Sequence, residues 1–209
     1  MKIRNLCPVV LLLSFAAAAL AKDPVKPAVP AEFQNAITFC DQEYALCIKA
    51  KCTSADGKKN VPCVCDVIDG WSMGPGDCAS RAPVKGSDGR IQIISTYANL
   101  YNRKEKTLSC PSGTTWAWCF GAKCVIDPRN PKAAVCDCPV EVAKKAALTL
   151  GGDCDTGNCS QVWSAATPFE DKFANDYYTW YMWSHHLKPP ALPPAKPCDP
   201  STTAKKSAK

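Results

Sequence analysis

One motif in this chain has the residue types of a hydrolase active site. Residues 70–74, GWSMG, match the Gly-x-Ser-x-Gly letters that surround the nucleophile of many hydrolases. Ser72 precedes Asp176 and His185 along the chain, which is the serine, acid, histidine order of that class. A small secreted serine hydrolase that uses Ser72, Asp176 and His185 is therefore one hypothesis for the function.

The surroundings of Ser72 favour a structural role for the motif. The nucleophile of such hydrolases sits on a sharp turn that leads from a strand into a helix. Here Pro75 and Gly76 follow at once, so no helix can begin on Ser72 and continue. The chain also lacks the series of long apolar strands that the hydrolase sheet needs. We therefore expect Ser72 to be structural and the protein to be non-enzymatic.

The cysteines are the second group that could carry chemistry. The cellular compartment decides whether they form disulfides. Residues 1–21 have the pattern of a secretory signal peptide, with Lys2 and Arg4 ahead of an apolar run and small residues at the cleavage site. The run is about 15 residues, shorter than the roughly 20 that a membrane span needs. Cys7 would leave with the signal, so an even 14 of the 15 cysteines remain. We expect a secreted or periplasmic protein with a disulfide framework.

Two sets of six cysteines recur with similar spacing. Residues 45–52, ALCIKAKC, align with residues 117–124, AWCFGAKC, at an offset of 72. Each set continues with C-x-C-x-V and ends in Gly-Asp-Cys. We interpret this recurrence as a tandem duplication that produces two small disulfide-stapled units. The predicted structural disulfides involve Cys40, Cys47, Cys52, Cys63, Cys65 and Cys78 in the first set, Cys110, Cys119, Cys124, Cys136, Cys138 and Cys154 in the second, and Cys159 and Cys198 outside both.

The connectivity within each set is open at this point, because six cysteines allow 15 pairings. Cys159 and Cys198 are assigned to each other by elimination. An alternative function is a thiol–disulfide protein that uses the C-x-C pairs. Redox cysteines are usually partly exposed beside positive charge or a helix start, and at Cys136 and Cys138 the acidic Asp137 and a possible helix start have opposite effects. Structural bridges are therefore favoured over redox chemistry and over a metal–thiolate site, and no metal or cofactor is predicted.

Each unit is predicted to contain a β-hairpin. In the first unit residues 46–52 alternate apolar and polar positions, and residues 61–67 return as the second strand. In the second unit residues 116–124 alternate likewise and residues 134–138 return. The prolines and polar residues of 127–131 favour a turn between them.

Two helices are predicted beside the hairpins. Residues 31–44 place Phe33, Ile37, Cys40 and Tyr44 at helical spacing. Residues 140–150 are rich in alanine, lysine and leucine, which have high helix propensity. Asp137 is the expected cap of that second helix, and glycines follow it.

A third helix is predicted near the C-terminus and carries most of the aromatic residues. Thr167 and Glu170 form the pattern of a capping box, and Pro168 suits the first helical position. We expect the helix to end near Lys188. Its aromatic side chains have two interpretations: they form core, or they form a binding surface for a protein or glycan partner. The candidate binding residues are Tyr177, Tyr178, Trp180, Tyr181 and Trp183.

The positions of the two histidines and the charge balance argue against a metal site and against a nucleic-acid partner. His185 and His186 fall in the last turn of this helix, where such side chains meet unpaired carbonyls. Because adjacent residues on a helix point in different directions, we do not predict that His185 and His186 bind one metal ion together. The chain after residue 21 has 23 basic and 19 acidic residues, and three of the lysines lie in the last nine residues. A nucleic-acid partner is not predicted, because no basic patch falls on the folded part.

The expected fold is a small disulfide-rich α+β protein with two tandem cysteine-rich β-hairpin repeats and a C-terminal aromatic helix. The domain boundaries that we predict are a signal peptide (1–21), a proline-rich segment (22–30), repeat 1 (31–99), repeat 2 (100–160), the aromatic helix (161–188) and a proline-rich basic tail (189–209). The expected function is binding of a protein or glycan partner. One variant of this expectation is that the protein acts like an inhibitor of its partner. No membrane anchor is expected after cleavage of the signal.

The disulfide framework can be tested by alkylation. We expect the exported protein, denatured without reductant and treated with iodoacetamide, to show no added carbamidomethyl groups in its intact mass. After reduction, every cysteine that follows residue 21 is expected to be labelled. Labelling of most thiols before reduction would contradict the framework.

Overall fold

The fold is described from a computed structural model of the chain. The structure describes residue 31 and residues 37–53, 55–97, 107–150, 161–184, 187–188 and 196–197. It is a disulfide-rich, mostly β structure with one long helix near the C-terminus. The predicted α+β class is therefore too rich in helix, whereas the abundance of cysteine bridges is confirmed.

The strands fall into two runs of the chain. The first run, residues 37–97, holds β1 (Ile37–Leu46), β2 (Lys51–Thr53), β3 (Asn60–Pro75), a short helix (Cys78–Arg81), β4 (Val84–Lys85) and β5 (Ile91–Ile94). The second run, residues 107–166, holds β6 (Thr107–Cys110), β7 (Thr115–Ala117), β8 (Lys123–Asp127), β9 (Asn130–Val142), β10 (Ala147–Leu150) and β11 (Gln161–Ser164). The C-terminal helix (Pro168–Ser184) and β12 (Lys196–Pro197) follow. We call the two runs the first half and the second half.

Nine of the strands form one sheet in the order β1-β3-β2-β11-β7-β9-β8-β5-β4. An additional pairing between β3 and β9 closes five of these strands, β3-β2-β11-β7-β9, into a ring. The remaining three strands form a smaller sheet in the order β10-β6-β12. Both halves therefore contribute strands to the same hydrogen-bonded structure.

The pairing of β3 with β9 joins the two cysteine sets directly. Cys63 lies opposite Cys136, the residue at the corresponding position of the second set. Cys63 of β3 also lies opposite Cys52 of β2, and Cys136 of β9 also lies opposite Cys124 of β8. The four cysteines thus form one row across four adjacent strands, and their position in each half is the same.

The strand that precedes each hairpin also pairs in the same way in the two halves. Ala45 of β1 lies opposite Val67 of β3, and Ala117 of β7 lies opposite Val140 of β9. These residues occupy corresponding positions in the two cysteine sets. Each half therefore contains a comparable three-stranded arrangement, β1-β3-β2 in the first and β7-β9-β8 in the second.

The halves exchange their last strands. β5 of the first half pairs with β8 of the second, and β11 of the second half pairs with β2 of the first. The hydrogen bonds correspond: Ser95 N donates to Ala122 O at 2.9 Å, and Ser164 N donates to Ala50 O at 3.0 Å. Because each half completes the sheet of the other, neither half's strand pairing is complete without its neighbour.

The disulfides of the two sets have corresponding connectivity. The structure shows the bridges Cys40–Cys78, Cys47–Cys65, Cys52–Cys63, Cys119–Cys138 and Cys124–Cys136. Cys110 is also disulfide-bonded, and its partner is outside the described residues. Cys154, Cys159 and Cys198 lie outside them too, so the Cys159–Cys198 bridge stays a prediction. Disulfides in this number are typical of an oxidising extracellular or periplasmic environment.

The two helices predicted beside the hairpins are wrong over residues 37–44 and 140–150, whereas residue 31 is helical as predicted and residues 32–36 lie outside the described residues. Residues 37–44 belong to β1. Ile37 contacts the layer under the C-terminal helix, whereas Tyr44 is buried in a different cluster on the other side of the sheet. A strand that is covered on both faces shows no simple alternation, so its apolar spacing resembled that of a helix.

Residues 140–150 form no helix either, since β9 continues to Val142, a bend follows at residues 144–145, and β10 begins at Ala147. The predicted cap, Asp137, instead accepts a hydrogen bond from Asn60 Nδ2 at 2.8 Å across the β3–β9 pair. Strand pairing has overridden the helix propensity of the alanines and lysines. The single strand predicted over residues 116–124 is interrupted as well, because a turn at Phe120–Gly121 separates β7 from β8.

The predicted C-terminal helix is confirmed, with its start fixed by the expected residues. Glu170 Oε2 accepts from Thr167 N at 2.7 Å, and Glu170 N donates to Thr167 Oγ1 at 3.2 Å. These reciprocal bonds are a capping box. The helix ends at Ser184, one turn before the predicted end near Lys188.

Gly74 gives a test of the packing beside β3. A Cβ atom there would lie 2.2 Å from Arg81 Nη1 and 2.5 Å from Thr96 Cγ2. Arg81 is held in place because its Nη2 donates to Thr38 O at 3.0 Å and to Thr38 Oγ1 at 2.8 Å. We expect Gly74→Ala to lower the free energy of unfolding by about 1–3 kcal/mol, measured by urea denaturation.

The matched control is Gly86→Ala, whose Cβ would meet the end of the Gln92 side chain at 2.9 Å. That side chain is half-buried and can rotate away, so a much smaller loss is expected. Equal losses of unfolding free energy in the two variants would show that overlap with Arg81 is not what excludes a larger side chain at residue 74.

Candidate functional site

A cavity of about 120 Å³ lies where the two halves meet the C-terminal helix. Met73 and Leu148 line it from equivalent positions of the two halves, at the end of β3 and in β10, and so do Ser95 and Ser164, at the ends of β5 and β11. We call it the junction cavity. It is lined by both halves because the exchanged strands bring their ends to the same place.

Backbone hydrogen bonds fix the two strand ends that line the junction cavity. Met73 and Tyr97 exchange two bonds of 2.8 Å each. Leu148 and Ala166 exchange the corresponding two bonds, at 2.7 and 2.9 Å. The walls of the cavity are therefore part of the sheet scaffold, which makes the cavity a preformed feature.

The first turns of the C-terminal helix close the junction cavity. The capping box at Thr167 and Glu170 sets the direction in which the helix leaves β11. Phe173 and Ala174 then line the cavity and pack against Met73. Because the helix carries part of the lining, its position decides the size of the cavity.

The helix is held on the sheet by its aromatic residues. Tyr177 donates a hydrogen bond from its hydroxyl to Ile37 O at 2.9 Å. The ring of Phe39 stacks on Tyr177 and Tyr181, with centroid separations of 5.5 and 3.9 Å. Stacked aromatic pairs contribute roughly 0.5–1.5 kcal/mol beyond their buried area. These contacts keep the helix over the cavity.

The polar side of the junction cavity is acidic. Glu170 and Asp171 line it, and none of the described lining residues is Lys, Arg or His. Burial raises the pKa of the Asp171 carboxyl, and hydrogen bonds from the side chains of Tyr97 and Asn175 partly oppose this rise. The bond from Asn175 Nδ2 to Asp171 Oδ2 is 3.1 Å long. Asp171 is thus a half-buried carboxylate with no basic side chain among the described lining residues.

The five aromatic residues predicted to form a binding surface have different environments. Tyr177 and Tyr178 are buried, with 6% and 8% of their surface exposed. Trp180, Tyr181 and Trp183 are half-buried. The core interpretation therefore describes the first two residues, and a partner surface stays a prediction for the other three.

Ser72 lies within β3 and not on a strand-to-helix turn. Only 1% of its surface is exposed, and it pairs with Cys40 of β1. Its neighbour Met73 faces the C-terminal helix, so Ser72 points to the opposite face of the strand. The structure therefore does not bring Ser72 towards the helix that carries Asp176.

The other two residues of the hypothetical catalytic triad are Asp176 and His185. Asp176 is ion-paired with Lys172 on the exposed side of the C-terminal helix. His185 and His186 lie outside the described residues. The catalytic assignment of Ser72, Asp176 and His185 thus remains a hypothesis that the described geometry does not support.

The C-x-C cysteines are bridged and buried. Cys63, Cys65, Cys136 and Cys138 have between 0% and 2% of their surface exposed. The sulfur atoms of neighbouring bridges come close together, and Cys47 Sγ lies 3.5 Å from Cys136 Sγ. Disulfide sulfurs at this depth are not accessible to a protein substrate, which argues against use of these pairs as a redox centre.

Comparisons with known proteins do not extend this description: no family model, no curated protein and no solved structure matches the chain. Within the part of the chain that the structure describes, no helix has both the length and the apolar character to cross a bilayer.

Sequence reasoning missed the junction cavity. In the sequence, Asp171 is only an alternative to Asp176 as the acid of the hydrolase order, and nothing identifies the segments that end at Ser95 and Ser164 as counterparts. Their only local signal is a short apolar stretch before each serine, IIS at 93–95 and VWS at 162–164. Such a short stretch is too common to predict that the two segments meet.

The pKa shift of Asp171 predicts a pH-dependent stability difference. A carboxyl whose pKa is higher in the folded state than the unfolded value of 3.8 destabilises the fold when it ionises. The penalty is absent below pH 3.8 and complete above the folded-state pKa. We therefore expect Asp171→Asn to gain stability relative to the wild type as the pH rises from below 3.8 to neutrality.

Urea denaturation of both proteins across this range measures the difference. Titration of all other groups is common to the two proteins and cancels. A stability difference that stays constant with pH, or that changes in the opposite direction, would contradict the proposed environment of Asp171.

Proposed function

We propose that this protein is an exported, disulfide-stabilised, non-enzymatic binding protein whose binding site is the junction cavity. The observation that carries the proposal is the cavity itself, which has walls from both halves and a cover formed by the C-terminal helix. Pockets that are concave, mostly apolar and largely preformed are where small molecules bind in proteins. The expected ligand is correspondingly small.

The side chains that line the cavity support binding better than catalysis. Ile48, Met73, Phe120 and Leu148 supply apolar walls. Ser95, one of the two serines among the described lining residues, donates a hydrogen bond from its hydroxyl to Cys47 Sγ at 3.2 Å. A nucleophilic serine instead needs a general base within hydrogen-bond reach. The lining therefore offers shape and an acidic end, without a nucleophile–base pair.

The tandem organisation forms part of the proposal. We infer that residues 31–99 and 100–160 descend from one duplicated unit, with the exchanged strands β5 and β11 reaching beyond the cysteine sets. The corresponding bridges Cys52–Cys63 and Cys124–Cys136 support this inference. Duplication explains why one cavity has similar walls on two sides.

A second candidate function is recognition of a protein or glycan partner by the C-terminal helix. It is supported by the partial exposure of Trp180, Tyr181 and Trp183 on that helix. Aromatic residues that keep part of their surface exposed are enriched at interfaces. The junction cavity is lined by the first turns of this helix, whereas these three residues lie near its end.

Binding in the junction cavity can be tested by blocking it. Ala174 is buried against the cavity, with 7% of its surface exposed, so a larger side chain there would fill the space. We expect 2-phenylethanol, an uncharged monocyclic probe, to shift the amide NMR signals of Met73, Ser95, Leu148 and Ser164 in the wild type. Ala174→Leu is expected to abolish these shifts.

The control is Ala79→Leu, which adds the same group to an exposed position of the short helix. It is expected to bind the probe like the wild type, and thermal unfolding checks that both variants fold. Shifts that are absent in the wild type, or that persist in Ala174→Leu, would contradict binding in the cavity.

A further inference from the structure

The size of the junction cavity limits the ligand to a single ring or a short branched chain. An apolar cavity of about 150 Å³ in another protein holds one benzene molecule. The junction cavity has a volume of about 120 Å³ and walls that include Met73, Phe120, Leu148 and Phe173. The buried part of its ligand is thus a compact apolar group.

The acidic end of the cavity determines which polar group the ligand needs beside its apolar part. Glu170 is already engaged, because its Oε2 accepts from Thr167 N and from Thr167 Oγ1 at 2.7 and 2.8 Å. Asp171 accepts from the side chains of Tyr97 and Asn175. A carboxylate can accept about four hydrogen bonds, so Asp171 keeps acceptor positions for a ligand.

Asp171 is also held in a fixed position by both parts of the structure. Tyr97 belongs to the sheet, where it is bonded to Met73, and Asn175 belongs to the helix, one turn further on. Their side-chain bonds to the carboxylate keep it at the boundary between sheet and helix. A ligand group that meets Asp171 would therefore be oriented by an acceptor that does not need to move.

We propose that the junction cavity binds a small amphipathic amine, with its apolar body between the two halves and its ammonium group on the Asp171 carboxylate. This inference rests on the proposed function, since it assigns a chemical class to the ligand of the same cavity. An ammonium group supplies both the hydrogen-bond donors and the positive charge that the acidic end lacks. Charge-assisted bonds of this kind contribute about 1.5–3 kcal/mol.

Other ligand classes fit the lining less well. A carboxylate or phosphate group would meet Glu170 and Asp171 with no basic side chain among the described lining residues. A sugar would bring many hydroxyl groups to walls that are mainly apolar, and groups that stay unpaired on burial cost free energy. The charge of the acidic end therefore selects a cation.

The experiment compares three probes of nearly equal size on the mature, oxidised protein. They are 2-phenylethylamine, 2-phenylethanol and 3-phenylpropionate, which are cationic, neutral and anionic at neutral pH. Dissociation constants come from NMR titration at constant ionic strength. We expect the amine to bind at least about tenfold more tightly than the alcohol, and the anion to bind most weakly.

The variant that isolates the charge is Asp171→Asn, which keeps the size of the side chain and one acceptor oxygen. We expect it to bind the amine and the alcohol equally, with the alcohol's affinity unchanged. The matched control, Asp176→Asn, alters a carboxylate that is ion-paired with Lys172 on the exposed side of the same helix. It is expected to keep the full preference for the amine.

The outcomes separate this inference from the proposed function. Equal binding of the amine and the alcohol by the wild type, or tighter binding of the anion, would overturn the inference and leave the cavity as a binding site. Failure of all three probes to bind would overturn both. The wild-type series decides the matter even where Asp171→Asn fails to fold, and thermal unfolding identifies that case.

Discussion

The pairing of β3 with β9 is the contact on which the other features of the structure depend. It places Cys63 opposite Cys136, and each of these is bridged to the next strand outwards, to Cys52 and Cys124. Backbone hydrogen bonds run between the two halves, and disulfides fasten each half's hairpin to the shared pair. Beside this row, β5 pairs with β8 of the other half, and β11 joins β2 of the other half to β7 of its own. An open edge left unpaired would be a liability in an exported β protein.

The core that this arrangement encloses is poor in large aliphatic side chains. Half of the buried residues in its main cluster are cysteines, and half of the others are alanines, with Val61, Ile93, Ile126 and Val162 as the larger members. Full burial of one large apolar side chain stabilises a protein by roughly 1.5–3 kcal/mol, and few are available here. A disulfide that closes a loop of about 15 residues is worth about 3 kcal/mol in the chain-entropy model. Cross-links thus take the place of hydrophobic bulk in holding a small-residue core together.

The large apolar and aromatic residues are found elsewhere, between the sheet and the C-terminal helix. Phe39, Tyr177 and Tyr181 form the stacked contacts there, and Met73 and Phe173 extend them to the junction cavity. This division suits a binding protein, because a rigid cross-linked body carries a separate layer in which a cavity can exist without weakening the main core. Asp171 stands at the edge of that layer, where burial costs its charge solvation and where a ligand could restore it.

The sequence alone determined the features that depend on local chemistry or on counting. The even cysteine number after the signal pattern, the recurrence of the two sets, and the capping box at Thr167 and Glu170 all follow from residue types at short spacing. Tertiary structure decided the rest. β1 is extended because both its faces are covered, and residues 140–142 and 147–150 are strands because neighbouring strands pair with their backbone. Asp171 meets Tyr97 only because strands are exchanged. Each of these outcomes depends on contacts between residues far apart in the chain, and local propensities of a few tenths of a kcal/mol per residue cannot oppose a complete set of strand hydrogen bonds.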